Sequence, residues 1–308
     1  MTDPLPRPRR RETDAIAPPT HAAARVREGR LSDMCTVKIA THTLWSLMAD
    51  GWDPGTYERF RDERRQPFRD LVGLLVPVPG GRVLDLGCGT GELTAELHRQ
   101  LEAAETLGVD RSASMLKDSS AYDGNGVRFE RGDIGTFDGR EYDVVFANAS
   151  LHWVDGHEAL LARLAGALRP GGQLAFQVPA NHDHPSHTVA AEVALESPFA
   201  EALALGPGSG KRPWNVLLPE AYATRLDELH FVEQHVRLQV YGHHLASTDA
   251  VVDWVKGTLL TYYREWLPGG VYEEFLARYR QRLLARLGPH EPYFYPFKRI
   301  LCWARLPS

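Results

Sequence analysis

The stretch Val83-Leu84-Asp85-Leu86-Gly87-Cys88-Gly89-Thr90-Gly91-Glu92 decides the fold. A short apolar run passes straight into three glycines, and Leu93, Leu97 and Leu101 then recur at helical spacing. That order predicts a buried strand, a tight turn and a helix whose free N–H groups face the turn. The spacing is G-x-G-x-G, and the position where a dinucleotide fold places its third small residue is Glu92. An acid pointing toward the mouth there disfavours a pyrophosphate and tolerates a cationic or zwitterionic ligand.

Strands and helices keep alternating beyond the loop. Thr106–Val109, Val127–Glu130 and Tyr142–Ala147 read as strands, with a helix around Met115 and Leu116. Leu160, Leu161, Leu164 and Leu168 mark a helix stopped by Pro170-Gly171-Gly172, and Gln173–Val178 is the next strand. Such alternation predicts a doubly wound, mostly parallel α/β sheet of the Rossmann-like kind, seven-stranded. Val236, Leu238 and Val240 alternate as a later strand and Ile300–Ala304 as the last. Between them Val251–Thr258 and the series Phe275, Leu276, Tyr279, Leu283 read as amphipathic helices, a lid over the carboxyl edge of the sheet. Upstream, Tyr57, Phe60, Phe68, Leu71, Val72 and Leu75 read as a helix ended by Pro77.

Each strand end carries a polar feature. Asp110 ends the second strand, where an acid hydrogen-bonds ribose hydroxyls. Asp133 and Ile134 follow the third, able to accept from an adenine amine and cover the ring, and Asn148 follows the fourth. The row has the shape of a nucleoside site.

Composition agrees with a small-molecule enzyme. The 308 residues are 43% hydrophobic, 24% charged and 9% aromatic, which fits an ordinary globular chain. With 35 basic against 40 acidic residues the net charge is −5, so bulk charge argues against nucleic acid or an anionic membrane as partner. No run approaches a membrane span, and Cys35, Cys88 and Cys302 are too scattered for a disulfide framework or metal site. A cytoplasmic setting is expected. Residues 1–50, with 8 basic against 6 acidic residues and no apolar periodicity, read as a flexible extension. Residues 51–308 read as one domain, with a cofactor core at 76–180 and a lid at 246–290.

From Val83 to Val178 the sequence resembles the class I S-adenosylmethionine-dependent methyltransferases. The likeness rests on the glycine loop, Gly108-Val-Asp-Arg-Ser112, Arg131-Gly-Asp-Ile134, Tyr142-Asp-Val-Val-Phe-Ala-Asn148 and Leu168-Arg-Pro-Gly-Gly172. Within that group it is most similar to the trans-aconitate 2-methyltransferase family over nearly all of 52–306. The carrying segments are Trp52-Asp-Pro54 with Tyr57 and Phe60, Phe146-Ala-Asn-Ala-Ser-Leu-His-Trp153, Gln177-Val-Pro-Ala-Asn-His182, Asp253-Trp-Val-Lys-Gly-Thr258 and Pro296-Phe-Lys-Arg299. The pattern departs at Gly257-Thr-Leu-Leu-Thr-Tyr262, where Thr261 stands in place of an arginine, and at Glu63-Arg64-Arg65-Gln66-Pro67.

The resemblance implies S-adenosyl-L-methionine as cofactor, held by Asp85, Gly87, Gly89, Gly91, Asp110, Arg111, Asp133, Ile134 and Asn148. It implies methyl transfer to a small molecule. A carboxylate acceptor is already ionised near neutrality and needs no base; alignment and exclusion of water then carry the reaction. The acceptor residues expected are Tyr57, Trp153, Tyr262 and Arg299, the last as cation for a carboxylate or, equally, a surface charge opening the final strand. His152 is the one candidate catalytic group, a base for a hydroxyl acceptor or a packed histidine lining the mouth. No metal is expected. Base-assisted methylation of a hydroxyl, a nicotinamide oxidoreductase and a cofactor-binding protein without catalysis are the rival readings.

Overall fold

The computed structural model describes residues 61–205 and 215–308. The expected extension at 1–50 and Tyr57 lie outside the described residues. Seven strands form one sheet: β1 (Arg82–Leu86), β2 (Glu105–Asp110), β3 (Val127–Arg131), β4 (Tyr142–Asn148), β5 (Leu168–Pro179), β6 (Glu233–Leu245) and β7 (Tyr293–Arg305). Their order is β3-β2-β1-β4-β5-β7-β6. β1 to β5 are parallel, and β7 runs antiparallel between β5 and β6.

Strand periodicity divides the core in two. Leu84, Leu86, Val145 and Phe176 face Leu160, Leu161 and Leu164 of α4 (His157–Gly166) and Tyr222 and Leu226 of α7 (Pro219–Glu228). Val83, Val144, Phe146 and Ala175 face Phe68 and Leu71 of α1 (Arg61–Val72) and Leu97 of α2 (Glu92–Gln100). Both faces are covered, so the central strands read as continuous apolar runs. α3 (Ala113–Ser119) follows β2. Chain order reverses between β1 and β4, the crevice where open α/β sheets bind ligands.

A third cluster roofs the carboxyl edge. It joins α8 (Ala250–Lys256) and α10 (Gly269–Leu287), the two helices expected between the last strands, with α9 (Leu259–Trp266), α5 (Pro185–Ala194) and α6 (Phe199–Leu205), which the sequence reading leaves unassigned. Phe199 meets Phe275 edge-on at 5.4 Å and Tyr263 stacks on Phe275 at 4.5 Å. The lid is therefore built from two insertions.

Several boundaries differ from expectation, among them that of α1, which ends at Val72 ahead of Pro77. Leu168 lies outside the helix, pairing with Tyr142 as the first residue of β5, and Pro170-Gly171-Gly172 is a bulge inside that strand. The register then shifts so that Val144 pairs with Gln173, and Gly171 at φ 74° donates its N–H to the Pro307 carbonyl at 2.7 Å. β7 opens at Tyr293, well before Ile300, because β6 pairs with it along its whole length. Among the described residues no helix is long and apolar enough to cross a membrane, and no cluster of His, Cys, Asp and Glu could hold a metal.

Candidate active site

The glycine loop leaves β1 with Gly87, Gly89 and Gly91 at φ 82°, 57° and 82°. A Cβ on residue 87 would stand 2.3 Å from the Cβ of Ser150, and one on residue 91 would stand 2.7 Å from the Phe129 ring. Those two glycines are required by the protein's own packing. At Gly89 a Cβ would meet only the Met115 methyl, at 3.1 Å, so this glycine leaves the approach to the backbone open. Gly91 offers α2 no side-chain cap, which leaves the first N–H groups of that helix for a ligand.

The Asp110 carboxylate ties this loop to the next strand end. Gly89 N–H donates to its Oδ2 at 3.0 Å and Ser112 N–H to its Oδ1 at 2.9 Å. Each oxygen keeps a lone pair for a further donor. Below the loop, Asp85 is buried and accepts from Thr94 Oγ1 at 2.6 Å; burial raises its pKa to about 7 despite that bond. The Cys88 thiol is pushed up by burial and then by Asp85 and Asp110, so it is no nucleophile. Glu92 is ion-paired with Arg65 of α1, which moderates the negative charge expected at the mouth.

Along the same edge, Asp133 is exposed and accepts the Gly135 N–H at 2.6 Å, and Ile134 is half-buried against the first core cluster. The Arg111 side chain is exposed and its carbonyl accepts from Arg131 Nε at 3.1 Å. Asn148 stands half-buried at the tip of β4. Its side-chain oxygen accepts from Gln177 Nε2 at 2.7 Å, and Gln177 Oε1 accepts from Arg299 Nη1 at 3.0 Å.

Arg299 is 6% exposed, which excludes the surface-charge alternative. It lies on β7 opposite Pro179 of β5 and Gln239 of β6, its guanidinium 4.9 Å over the Phe297 ring. Two imidazoles feel this cation. His152 follows β4 in a 3₁₀ turn, Leu151–Trp153, 4.7 Å from the Trp153 ring. Its Nδ1 is buried and has no hydrogen-bond partner among the described residues. Burial, then Arg299, hold its pKa down at about 3. His243 on β6 lies 4.9 Å from the Trp254 ring, and the same two causes hold it at about 4.

The remaining expected residues are placed less centrally. Trp153 is 37% exposed beside His152. Tyr262 packs into the lid core, edge-on to Tyr263 at 5.2 Å, and burial raises its pKa. His184 accepts the Ser186 N–H at 3.1 Å as the N-cap of α5. The sequence reading passes over Gln177 and His243. Gln177 is one of two buried amides, with Gln173, in an otherwise apolar stretch of β5, but His243 shares the two-residue period of Tyr241 on β6 and was legible as inward-facing.

The donor set fits S-adenosylmethionine. An open glycine turn precedes a free helix N-terminus, Asp110 retains acceptor capacity at the ribose position, and the acid deepest in the loop is buried and hydrogen-bonded. A methyltransferase-domain family model matches residues 83–172, from β1 into β5. The chain is 42% identical over 259 residues to a trans-aconitate 2-methyltransferase of Deinococcus radiodurans, covering 83% of this chain and 99% of that one. It belongs to the trans-aconitate 2-methyltransferase family. A further relative of that name, from Variovorax paradoxus, is 37% identical over 243 residues, covering 75% of this chain and 88% of that one. In fold, the YcgJ protein from Bacillus subtilis superposes with a TM-score of 0.53 at 13% identity, over 79% of this chain and 99% of that one. Like its family, this enzyme is an S-adenosylmethionine-dependent methyltransferase. The nicotinamide and non-catalytic readings fall with that membership.

Proposed function

We propose that the acceptor is a small polycarboxylic acid of the trans-aconitate type and that the product is its methyl ester. The observation that carries this reading is Arg299, a buried guanidinium under the lid at the carboxyl edge of the sheet. A guanidinium meets a carboxylate through two parallel hydrogen bonds, and burial under the lid keeps out the water that would weaken such a pair. The relatives' printed name points to the same acid.

The cofactor, when bound, supplies an electrophilic methyl on a sulfonium. Gly87, Gly89 and Gly91 would frame it, Asp110 would take the ribose hydroxyls, Asp133 and Ile134 the adenine, and Asp85 and Arg111 would line the remainder of its site; Asn148, expected among them, stands apart at the tip of β4. Arg299 orients the acceptor carboxylate from the lid side, with Trp153 as a wall. No base is required, because the acceptor oxygen is ionised near neutrality. His152 suits that chemistry: with a pKa near 3 it is a poor base and stays neutral beside Arg299. Bringing a carboxylate and a sulfonium together neutralises charge, so covering the site with α8 and α9 favours transfer.

The test is incubation of the purified enzyme with labelled S-adenosylmethionine and a panel of mono-, di- and tricarboxylic acids, phenols and alcohols. Base-labile labelled esters from the polycarboxylates are expected. Label appearing only in base-stable ethers overturns the reading in favour of hydroxyl methylation.

A further inference from the structure

One cation fixes the orientation of two amides. Arg299 has only donors, so the Gln177 atom 3.0 Å from its Nη1 is the side-chain oxygen. Gln177 is 1% exposed, and its amide nitrogen therefore points the other way, to an Asn148 atom at 2.7 Å. An N–H needs an acceptor there, so that atom is Oδ1. Asn148 is left with Nδ2 directed elsewhere, and no hydrogen bond among the described residues engages it.

The place of this amide matters as much as its direction. Asp85 pairs with Phe146 and Asn148 with Gln177, so the tip of β4 stands beside the start of the glycine loop. The row Asn148, Gln177, Arg299 thus crosses the carboxyl edge from the cofactor side to the buried cation. A donor-only group at that point discriminates among ligands. It cannot serve the ammonium of the cofactor, which is itself a donor. The ribose hydroxyls are expected at Asp110, two strands away. An N–H pair at that point calls for an acceptor oxygen, and an anionic carboxylate oxygen is the strongest one.

We propose that Asn148 Nδ2 holds the acceptor's carboxylate beside the methyl, making Asn148 a specificity-determining residue for an anionic acceptor. The inference rests on the carboxylate reading above. Gln177 is the positioning residue: it transmits the polarity of Arg299 to Asn148, so both ends of the row present donors, which favours an anionic oxygen over a neutral hydroxyl and leaves an ammonium without an acceptor.

The experiment uses the full chain and the best acid from the panel. Asn148→Asp is isosteric and exchanges the donor for an anion. We expect acceptor KM to rise about ten- to hundredfold, with S-adenosylhomocysteine affinity by calorimetry held within about twofold. Gln177→Glu gives the same result without altering residue 148. A carboxylate at 177 accepts from Arg299 and from Asn148 together, so the Asn148 amide turns and presents its oxygen. Weakened cofactor affinity with unchanged acceptor KM in Asn148→Asp overturns the proposal and assigns the amide to the cofactor's own carboxylate. Wild-type KM in both variants also overturns it. These failures are distinct from failure of the carboxylate reading, in which the wild-type enzyme itself makes no ester.

Discussion

The Tyr222 hydroxyl and His157 Nδ1 stand 2.5 Å apart in the core, and together they tie α7 to the turn that carries His152 and Trp153. His157 Nε2 lies 3.0 Å from the Leu151 carbonyl and must be the protonated nitrogen. Nδ1 is then an acceptor, and Tyr222 donates to it. Burial lowers the pKa of His157, which keeps the ring in this neutral form.

From this pairing, Tyr222→Phe should strand a buried acceptor and lose about 1–3 kcal/mol of stability. Denaturant unfolding monitored by circular dichroism measures it. A midpoint equal to wild type would mean that His157 takes its proton elsewhere.

The glycines of the loop should separate in their effects. Ser150 Oγ donates to the Leu86 carbonyl at 2.5 Å, which fixes Ser150 over Gly87. Gly87→Ala therefore combines left-handed strain of about 1–2 kcal/mol with a contact that cannot relax locally. Gly89→Ala meets only the flexible end of Met115. We expect a larger fall in melting temperature for Gly87→Ala, and for Gly89→Ala a larger loss of S-adenosylhomocysteine affinity relative to its loss of stability. Equal effects of the two on both readouts would contradict this division.

The sheet was legible because β1, β2, β4 and β5 are covered on both faces and leave apolar runs bounded by turn residues. The cofactor edge was legible because each strand ends in a residue of distinctive chemistry. Long-range partners were not. Glu92 looks bare in the sequence because Arg65 belongs to a helix ahead of the first strand. Gln177 is silent because its meaning lies in two atoms on other strands. α5 and α6 were missed although Pro185 starts the first and Val189, Ala190 and Val193 give it a buried face. Tyr293, Tyr295 and Phe297 are buried at two-residue spacing, the mark of a strand that begins ahead of the expected Ile300.

Acid should destabilise the fold through its histidines. His152 and His187 are held near pKa 3, and His184 and His243 near 4, each chiefly by burial. All titrate near 6.5 when unfolded. Between about pH 6.5 and 4 the unfolded chain binds more protons, so stability falls as pH falls. Each histidine adds at most about 1.4 kcal/mol per pH unit, less where solvent reaches the ring. Asp85 acts in the opposite sense: burial raises its folded pKa to about 7, above its ordinary value of 3.8, so it favours the fold increasingly as pH falls through that window. Asp85→Asn should therefore steepen the loss of melting temperature from pH 6.5 to 4. An unchanged slope would show that Asp85 is ionised in the fold.

Removing the buried cation should act on the acceptor and on the neighbouring imidazoles together. Arg299→Leu preserves apolar contact with Phe297 but deletes both the carboxylate partner and the donor to Gln177. Breaking one side of a buried charge pair corresponds to about 2–5 kcal/mol in kcat/KM for a polycarboxylate acceptor. S-adenosylhomocysteine affinity should hold, because Arg299 lies on β7, beyond the strand ends that frame the cofactor. An independent readout comes from His152 and His243, which Arg299 disfavours as cations. In Arg299→Leu both rings should protonate at a higher pH than in the wild type, visible by NMR titration of the imidazole resonances. Arg299→Lys should restore their low pKa values, since a charge suffices for that. It should recover only part of the turnover, since an ammonium lacks the planar pair of donors that a carboxylate meets. Full turnover of the acid by Arg299→Leu, with the histidine titrations displaced as expected, would move the acceptor-binding cation away from β7 and leave Arg299 as a device for keeping the two histidines neutral.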